Sequence, residues 1–146
     1  AIIAGEDVLV EDQRYVRKII DECDGRQIKY LGRVNRNIKV ELMQKAKVLL
    51  LPLLPDYYGC FELVITEANA CGCPVVATNR GAPKELIAQG KSGFVVESVA
   101  DMAQATKDAL LLSPDDCRAQ GIKFSQEAMG DRYEELYKKV LEGNCW

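Results

Sequence analysis

Three carboxylates, Asp56, Glu62 and Glu67, stand in or beside a stretch from Pro55 to Glu97 that carries most of the chemical information in this chain. Glu67 opens the run Glu67-Ala68-Asn69-Ala70-Cys71-Gly72, where every neighbour is small, apolar or an amide. A charge in such a setting is costly to bury unless a polar group meets it. A carboxylate there can accept two hydroxyl hydrogen bonds, the pattern a ribose 2′,3′-diol offers. It can equally be an ordinary surface glutamate, and the local sequence leaves both readings open. Arg80 follows the apolar run Val75-Val76-Ala77, and its planar fork suits either a phosphate or a surface ion pair. Glu85, one turn into the next helix, complements that helix's dipole.

The elements that must position these groups alternate without a break. Ile2 to Ala4, Ile28 to Leu31, Lys47 to Leu51, Val75 to Ala77 and Gly93 to Val96 read as strands. The continuous apolar run of the third suits a strand covered on both faces. Helical spacing predicts helices over Glu11 to Cys23, with Asp12 near its start, and over Ile38 to Ala46. It does the same for Glu62 to Ala70, stopped by Gly72 and Pro74, and for Pro83 to Ala88. Val99 to Leu112, Pro114 to Gly121 and Gln126 to Leu141 are helical by period, the last with Met129, Tyr133, Leu136, Tyr137 and Val140 on one face. Repeated strand–helix–strand units imply an α/β, Rossmann-like three-layer domain with a parallel sheet of about five strands. Ligands of such sheets sit beyond the carboxyl ends of the strands. That places Gly32-Arg33, the loop from Leu53 to Phe61 with the helix after it, and Thr78 to Gly81 at one rim. The N–H groups at the start of that helix, with its dipole, make an anion site suited to a diphosphate, although the loop carries no glycine-rich phosphate motif.

Bulk properties narrow the function. With 146 residues, 48% hydrophobic and 28% charged, the chain fits one soluble globular domain. A net charge of −3 gives no reason to expect nucleic acid as a partner. The absence of histidine excludes histidine general bases, zinc–histidine sites and imidazole switches. The six cysteines follow no signal-peptide pattern and four sit in or beside regular elements, so they read as reduced, mostly buried thiols of a cytoplasmic protein. Cys71-Gly72-Cys73 lacks the second clip that a metal site needs. No apolar run approaches the roughly 20 residues of a membrane span. The chain reads as a piece of a longer protein, with a domain over 1–142 and a loose tail over 143–146.

Several of these blocks together resemble the C-terminal domain of retaining glycosyltransferase family 4, which has the GT-B architecture. The likeness runs through Tyr30-Leu31-Gly32, Val48-Leu49-Leu50-Leu51-Pro52, Phe61 to Ala77 and Asn79-Arg80-Gly81. It continues through Glu85, Gly90 to Val96, Phe124-Ser125, Tyr133 and Tyr137. The resemblance implies a nucleotide-diphosphate sugar donor held in one half of a two-domain cleft, with transfer of a hexose to a glycan, lipid-linked or small-molecule acceptor. Glu67 matches the second glutamate of the family's paired-glutamate motif, which grips the donor ribose. The helix after Phe61 would face the diphosphate and the sugar, with Leu63 and Val64 giving N–H groups, and the Gly32-Arg33 turn would lie near the base. No metal or other cofactor is implied.

The departures from the family pattern fall in the loop. The first glutamate of the motif, eight residues before Glu67, is Gly59 here, and the glycine that usually follows Phe61 is Glu62. Asp56 and Glu62 are the acids that stand ready for the missing role, making Asp56, Glu62 and Glu67 the candidate catalytic groups. Gly32, Arg33, Gly59, Phe61, Leu63, Val64, Glu67 and Arg80 are the candidate donor-binding positions. The family's phosphate-binding arginine and lysine, and its acceptor-binding domain with any membrane-surface anchor, would lie upstream of Ala1. A degenerate, non-catalytic nucleotide-sugar-binding module is the alternative that Gly59 and Glu62 suggest.

Overall fold

The computed structural model describes residues 1–5, 13–56 and 59–143. Glu11, the expected helix start, with Asp12 beside it, Tyr57 of the loop and the tail from Asn144 lie outside the described residues. The chain divides into two compact units, Ala1–Lys39 and Val40–Trp146.

In the first unit, β1 (Ile2–Ile3) and β2 (Lys29–Tyr30) pair in parallel, Ile2 opposite Lys29 and Ile3 opposite Tyr30. Between them runs α1 (Gln13–Asp21), which buries Val16. The return to β2 is organised by Asp24, whose carboxylate accepts the N–H groups of Arg26, Gln27 and Ile28 at 2.7–2.9 Å. Those bonds, led by the one from Ile28, hold its carboxyl below the usual range. Helix α2 (Arg36–Lys45) starts two residues before the expected Ile38, because Asn35 accepts the Ile38 N–H at 3.0 Å. That N-cap satisfies a donor the helix itself cannot.

The second unit holds the parallel sheet β3-β4-β5, formed by Leu49–Leu51, Val75–Thr78 and Gly93–Val96. Its register sets Leu50 opposite Val76, and Val76 opposite Phe94. The five strands among the described residues are thus hydrogen-bonded as a pair and a triplet, where the sequence predicts one sheet. Each ladder joins strands consecutive in the chain, as strand–helix–strand crossovers do. All of β4 is buried, with Ile65, Ala68 and Leu86 packed on the cluster of Val75 and Ala77, and Met102, Ala105 and Ala109 on Val76. Alternation along a strand sends these side chains to opposite faces, so helices lie on both sides. Strand β3 departs from expectation. Leu50 is 49% exposed, and among the described residues β3 pairs with a strand on one side only.

Helix α3 (Leu63–Ala70) is the buried centre of this unit, and at its carboxyl end Asn69 is fully buried. The Asn69 amide donates to Cys73 O at 3.1 Å and to Ser92 O at 3.0 Å, tying the helix end to the turn before β5. Helix α6 (Pro114–Ile122) crosses α3 so closely that a Cβ on Gly121 would stand 2.4 Å from the Ala70 nitrogen. Between these lie the single-turn α4 (Pro83–Leu86) and α5 (Met102–Ala109), the latter preceded by a 3-10 turn over Val99–Asp101. Helix α7 (Gln126–Leu141) has the expected bounds, capped by Ser125 and braced by Lys138–Glu134 and Lys139–Glu135 ion pairs. Its apolar stripe is not buried, however: Tyr133 and Tyr137 touch each other and stay half or more exposed. No helix among the described residues is long and apolar enough to cross a membrane.

The cysteines divide by depth rather than being mostly buried. Cys73 and Cys117 are fully buried, Cys23 and Cys71 half-buried, and Cys60 exposed in the loop before α3. Burial, reinforced by the neighbouring Cys117, pushes the Cys73 thiol from 9.0 up to about 11. Native protein treated with iodoacetamide near pH 8 should therefore be alkylated at Cys60 and spared at Cys73 and Cys117, as read by peptide mass spectrometry. The unfolded Cys73 thiol ionises first, so the contribution of Cys73 to stability should be flat below pH 9 and fall between about 9 and 11. Denaturant unfolding at stepped pH, compared with Cys73→Ala, checks this.

Candidate functional site

Two loops of the second unit meet beyond the carboxyl ends of β3 and β4. Thr78, the last residue of β4, donates its hydroxyl to Leu53 O at 2.8 Å and so ties the loop after β3 to the strand beside it. Farther along, Gly81 turns with φ +71°, and a Cβ there would lie 2.5 Å from Gly59 O and 2.7 Å from Glu62 Oε1. Only glycine permits both that backbone conformation and that approach. Gly59, Glu62 and Gly81 are therefore one cluster, assembled from the loop before α3 and the turn after β4.

Glu62 is the N-cap residue of α3, yet its side chain makes no capping bond. Its carboxylate is buried without a hydrogen-bond partner among the described residues. After it come Leu63 and Val64, whose N–H groups belong to the first turn and have no carbonyl four residues back within the helix. These donors and the positive end of the helix face the loop mouth. Glu67 sits farther along the same helix and is half-buried. Phe61, just before the cap, is 48% exposed and stacks edge-on against Phe124 with ring centroids 6.0 Å apart. Phe61 thus anchors the helix start as well as bordering the site.

The remaining expected residues distribute unevenly. Asp56 is exposed. Arg80 is half-buried at the rim, and its Nη1 donates to the neighbouring Asn79 carbonyl at 2.6 Å. Asn79 donates to both oxygens of Glu97, at 3.0 and 3.2 Å, and Lys84 approaches the same carboxylate at 3.7 Å. Gly32 and Arg33 belong to the first unit, where Gly32 turns with φ +62° and accepts the Gly5 N–H at 3.0 Å. Arg33 there lines an open cavity of about 550 Å³ with Val34, Asn35, Arg36 and Ile38. A second cavity, of about 420 Å³, opens at the other end of α3 beside Lys47, Gly72 and Arg118. It lies at the amino ends of β3 and β4, away from the end where parallel sheets bind ligands.

The sequence places Thr78 to Gly81 at the rim but does not show the bond from Thr78 to Leu53 O or the approach of Gly81 to Gly59 and Glu62. A glycine in the short turn between β4 and a helix carrying proline in its first turn marks a tight turn at Gly81, though not its partners.

The family model described as Glycosyl transferases group 1 matches residues 1–111. The chain belongs to that family. Among curated relatives, the D-inositol 3-phosphate glycosyltransferase of Corynebacterium urealyticum is 36% identical over 104 residues, covering 70% of this chain and 24% of its own length. A probable sucrose-phosphate synthase of Thermosipho melanesiensis is 29% identical over 133 residues, 90% of this chain and 28% of its own. The chain thus spans about a quarter of the length of these two relatives. Among solved structures, AviGT4, a glycosyltransferase involved in avilamycin A biosynthesis, superposes with a TM-score of 0.77 at 23% identity, over 99% of this chain and 44% of that one. Anabaena HepE in complex with UDP-glucose gives 0.72 at 22% identity, over 95% and 40%. At that identity the likeness concerns the fold, which is that of GT-B glycosyltransferases.

Gly81→Ala should destabilise the protein by about 2 kcal/mol, the sum of a strained backbone and displaced oxygens. Denaturant unfolding measures it, and an unchanged midpoint would mean that the two loops do not meet in this way.

Proposed function

We propose that this chain is the donor-binding part of a glycosyltransferase that moves a hexose, with retention, from a nucleotide diphosphate to a glycan, lipid-linked or small-molecule acceptor. The observation that carries the reading is the start of α3. It combines first-turn N–H groups at Leu63 and Val64 with the half-buried Glu67 on one helix, beside the β4 rim. The family membership supports nucleotide-sugar-dependent transfer, and a neighbour of the same fold is known with UDP-glucose.

In this reading Glu67 accepts the two ribose hydroxyls, since an ionised carboxylate offers acceptors for both. The α3 terminus receives the diphosphate, and Arg80 and the phosphate-binding cations of the remaining protein add to it. As the sugar–phosphate bond breaks, charge grows on the leaving diphosphate. Fixed N–H groups and a helix dipole aimed there lower the barrier without a metal. Asp56 or Glu62 supplies the sugar-contacting carboxylate that Gly59 cannot. The acceptor binds a separate domain of the full protein. A cytoplasmic location, with any membrane-surface contact made elsewhere in the protein, fits a donor from the nucleotide-sugar pool.

Calorimetric titration with UDP, GDP and their hexose conjugates tests the reading. A nucleotide sugar that binds tighter than its bare diphosphate supports it, whereas bare nucleotide bound equally well supports a non-catalytic module. Glu67→Ala should weaken the preferred nucleotide by about ten-fold or more, as expected for losing hydrogen bonds to a charged group. The 2′-deoxynucleotide should lose affinity on the parent protein and almost none on the variant. Equal losses on both would remove Glu67 from the ribose.

A further inference from the structure

Among the described residues of the second unit, Glu62 has the one buried carboxylate with both oxygens unpartnered. The residue is 7% exposed, and Asp56, its rival for the same role, is exposed and can be solvated. Burying a charged acceptor without a donor is destabilising, and proteins keep such groups where a ligand completes them. Helix capping does not explain it, because the side chain makes no bond to the α3 backbone. A structural ion pair does not explain it either, since no ion pair involving Glu62 occurs among the described residues. Instead Oε1 rests beside Gly81, on the same spot that Gly59 O approaches. Two acceptors, a carboxylate oxygen and a backbone carbonyl, thus lie against Gly81 at the start of α3.

Resting on the reading that this rim holds a nucleotide-sugar donor, we infer that Glu62, together with the Gly59 carbonyl, receives the hydroxyls of the transferred sugar and selects uncharged hexoses over uronic acids. A hydroxyl supplies the donor both oxygens lack. A sugar carboxylate would bring a third acceptor and a second negative charge into the same buried space. The glutamate lost from position 59 is thereby replaced from three residues farther along, while the backbone at 59 keeps a part in the site. Gly81 leaves room for this arrangement, because any side chain there would occupy the position of the carboxylate.

The test compares UDP, UDP-glucose and UDP-glucuronate, and the matching GDP and GDP-mannose pair, on the full chain and on Glu62→Ala, Glu62→Gln and Asp56→Ala. The quantity read is the ratio of diphosphate to nucleotide-sugar dissociation constants. The parent chain should show a sugar-dependent gain with a neutral hexose and none with glucuronate. Both Glu62 variants should lose that gain by about ten-fold while holding the bare diphosphate as well as or better than the parent. A gain that survives Glu62→Ala, or that vanishes only in Asp56→Ala, overturns the assignment and leaves the donor reading standing. Failure of the parent to bind any of the nucleotides removes both together. Thermal unfolding without ligand gives an independent reading: Glu62→Gln should raise the midpoint by a few degrees, because it relieves an unpaired buried charge. A lowered midpoint would mean that the carboxylate has a structural partner and is not held for a ligand.

Discussion

Helix α3 is fixed from behind, and the rest of the second unit follows from that. Its carboxyl end cannot move, because the Asn69 amide satisfies two carbonyls from different turns and α6 presses its backbone against Ala70 at Gly121. Buried carbonyls must find donors, so Asn69 is as much a part of the core as Ile65 or Leu86. The last bonds of the helix, from Gly72 to Asn69 O and from Cys73 to Ala68 O, close it against the start of β4. With one end held this firmly, the other end projects in a set direction past the strand tips. The polar chemistry is gathered there.

Two opposed demands meet along this one short helix. Apolar burial of Ile65 and Ala68 favours a dry, closely packed setting, while the capping residue brings a charge to the edge of the same packing. Tight interiors offer little room for relaxation, so the conflict is confined to the first turn. The tether from Thr78 to Leu53 O and the edge-on contact of Phe61 with Phe124 hold that turn in place from two sides. A rigid frame around an unsatisfied group is a common cost of a preorganised site.

Much of this was legible in the residues. Val75 to Ala77 is apolar without alternation, which only a strand covered on both faces sustains, and β4 is buried throughout. Gly72 and Pro74 marked the end of α3, and Pro83 the start of α4. The same apolar argument failed for Leu49 to Leu51, because a run of leucines reports hydrophobicity and not how many strands lie alongside. Helix α7 shows the same limit: periodicity located the stripe of Tyr133 and Tyr137 but not what, if anything, covers it. At the rim, the residue types were readable one by one. Their grouping was not, since the approach of Gly81 to Gly59 and Glu62 is set by the crossover geometry between them and leaves no local trace. Asp56 and Glu62 looked equivalent in the sequence, and burial separates them.

That grouping has a bearing on how the chain tolerates change. Positions 59, 62 and 81 share one small volume, so what fits at any of them depends on the other two. A glutamate restored at 59 would need the space that the side chain of Glu62 now fills, and a shorter residue at 62 would relax the demand for glycine at 81. Substitution effects here will be non-additive, and routes that alter these positions one at a time will pass through combinations worse than either end. Although far apart along the chain, the three residues behave as a single epistatic unit.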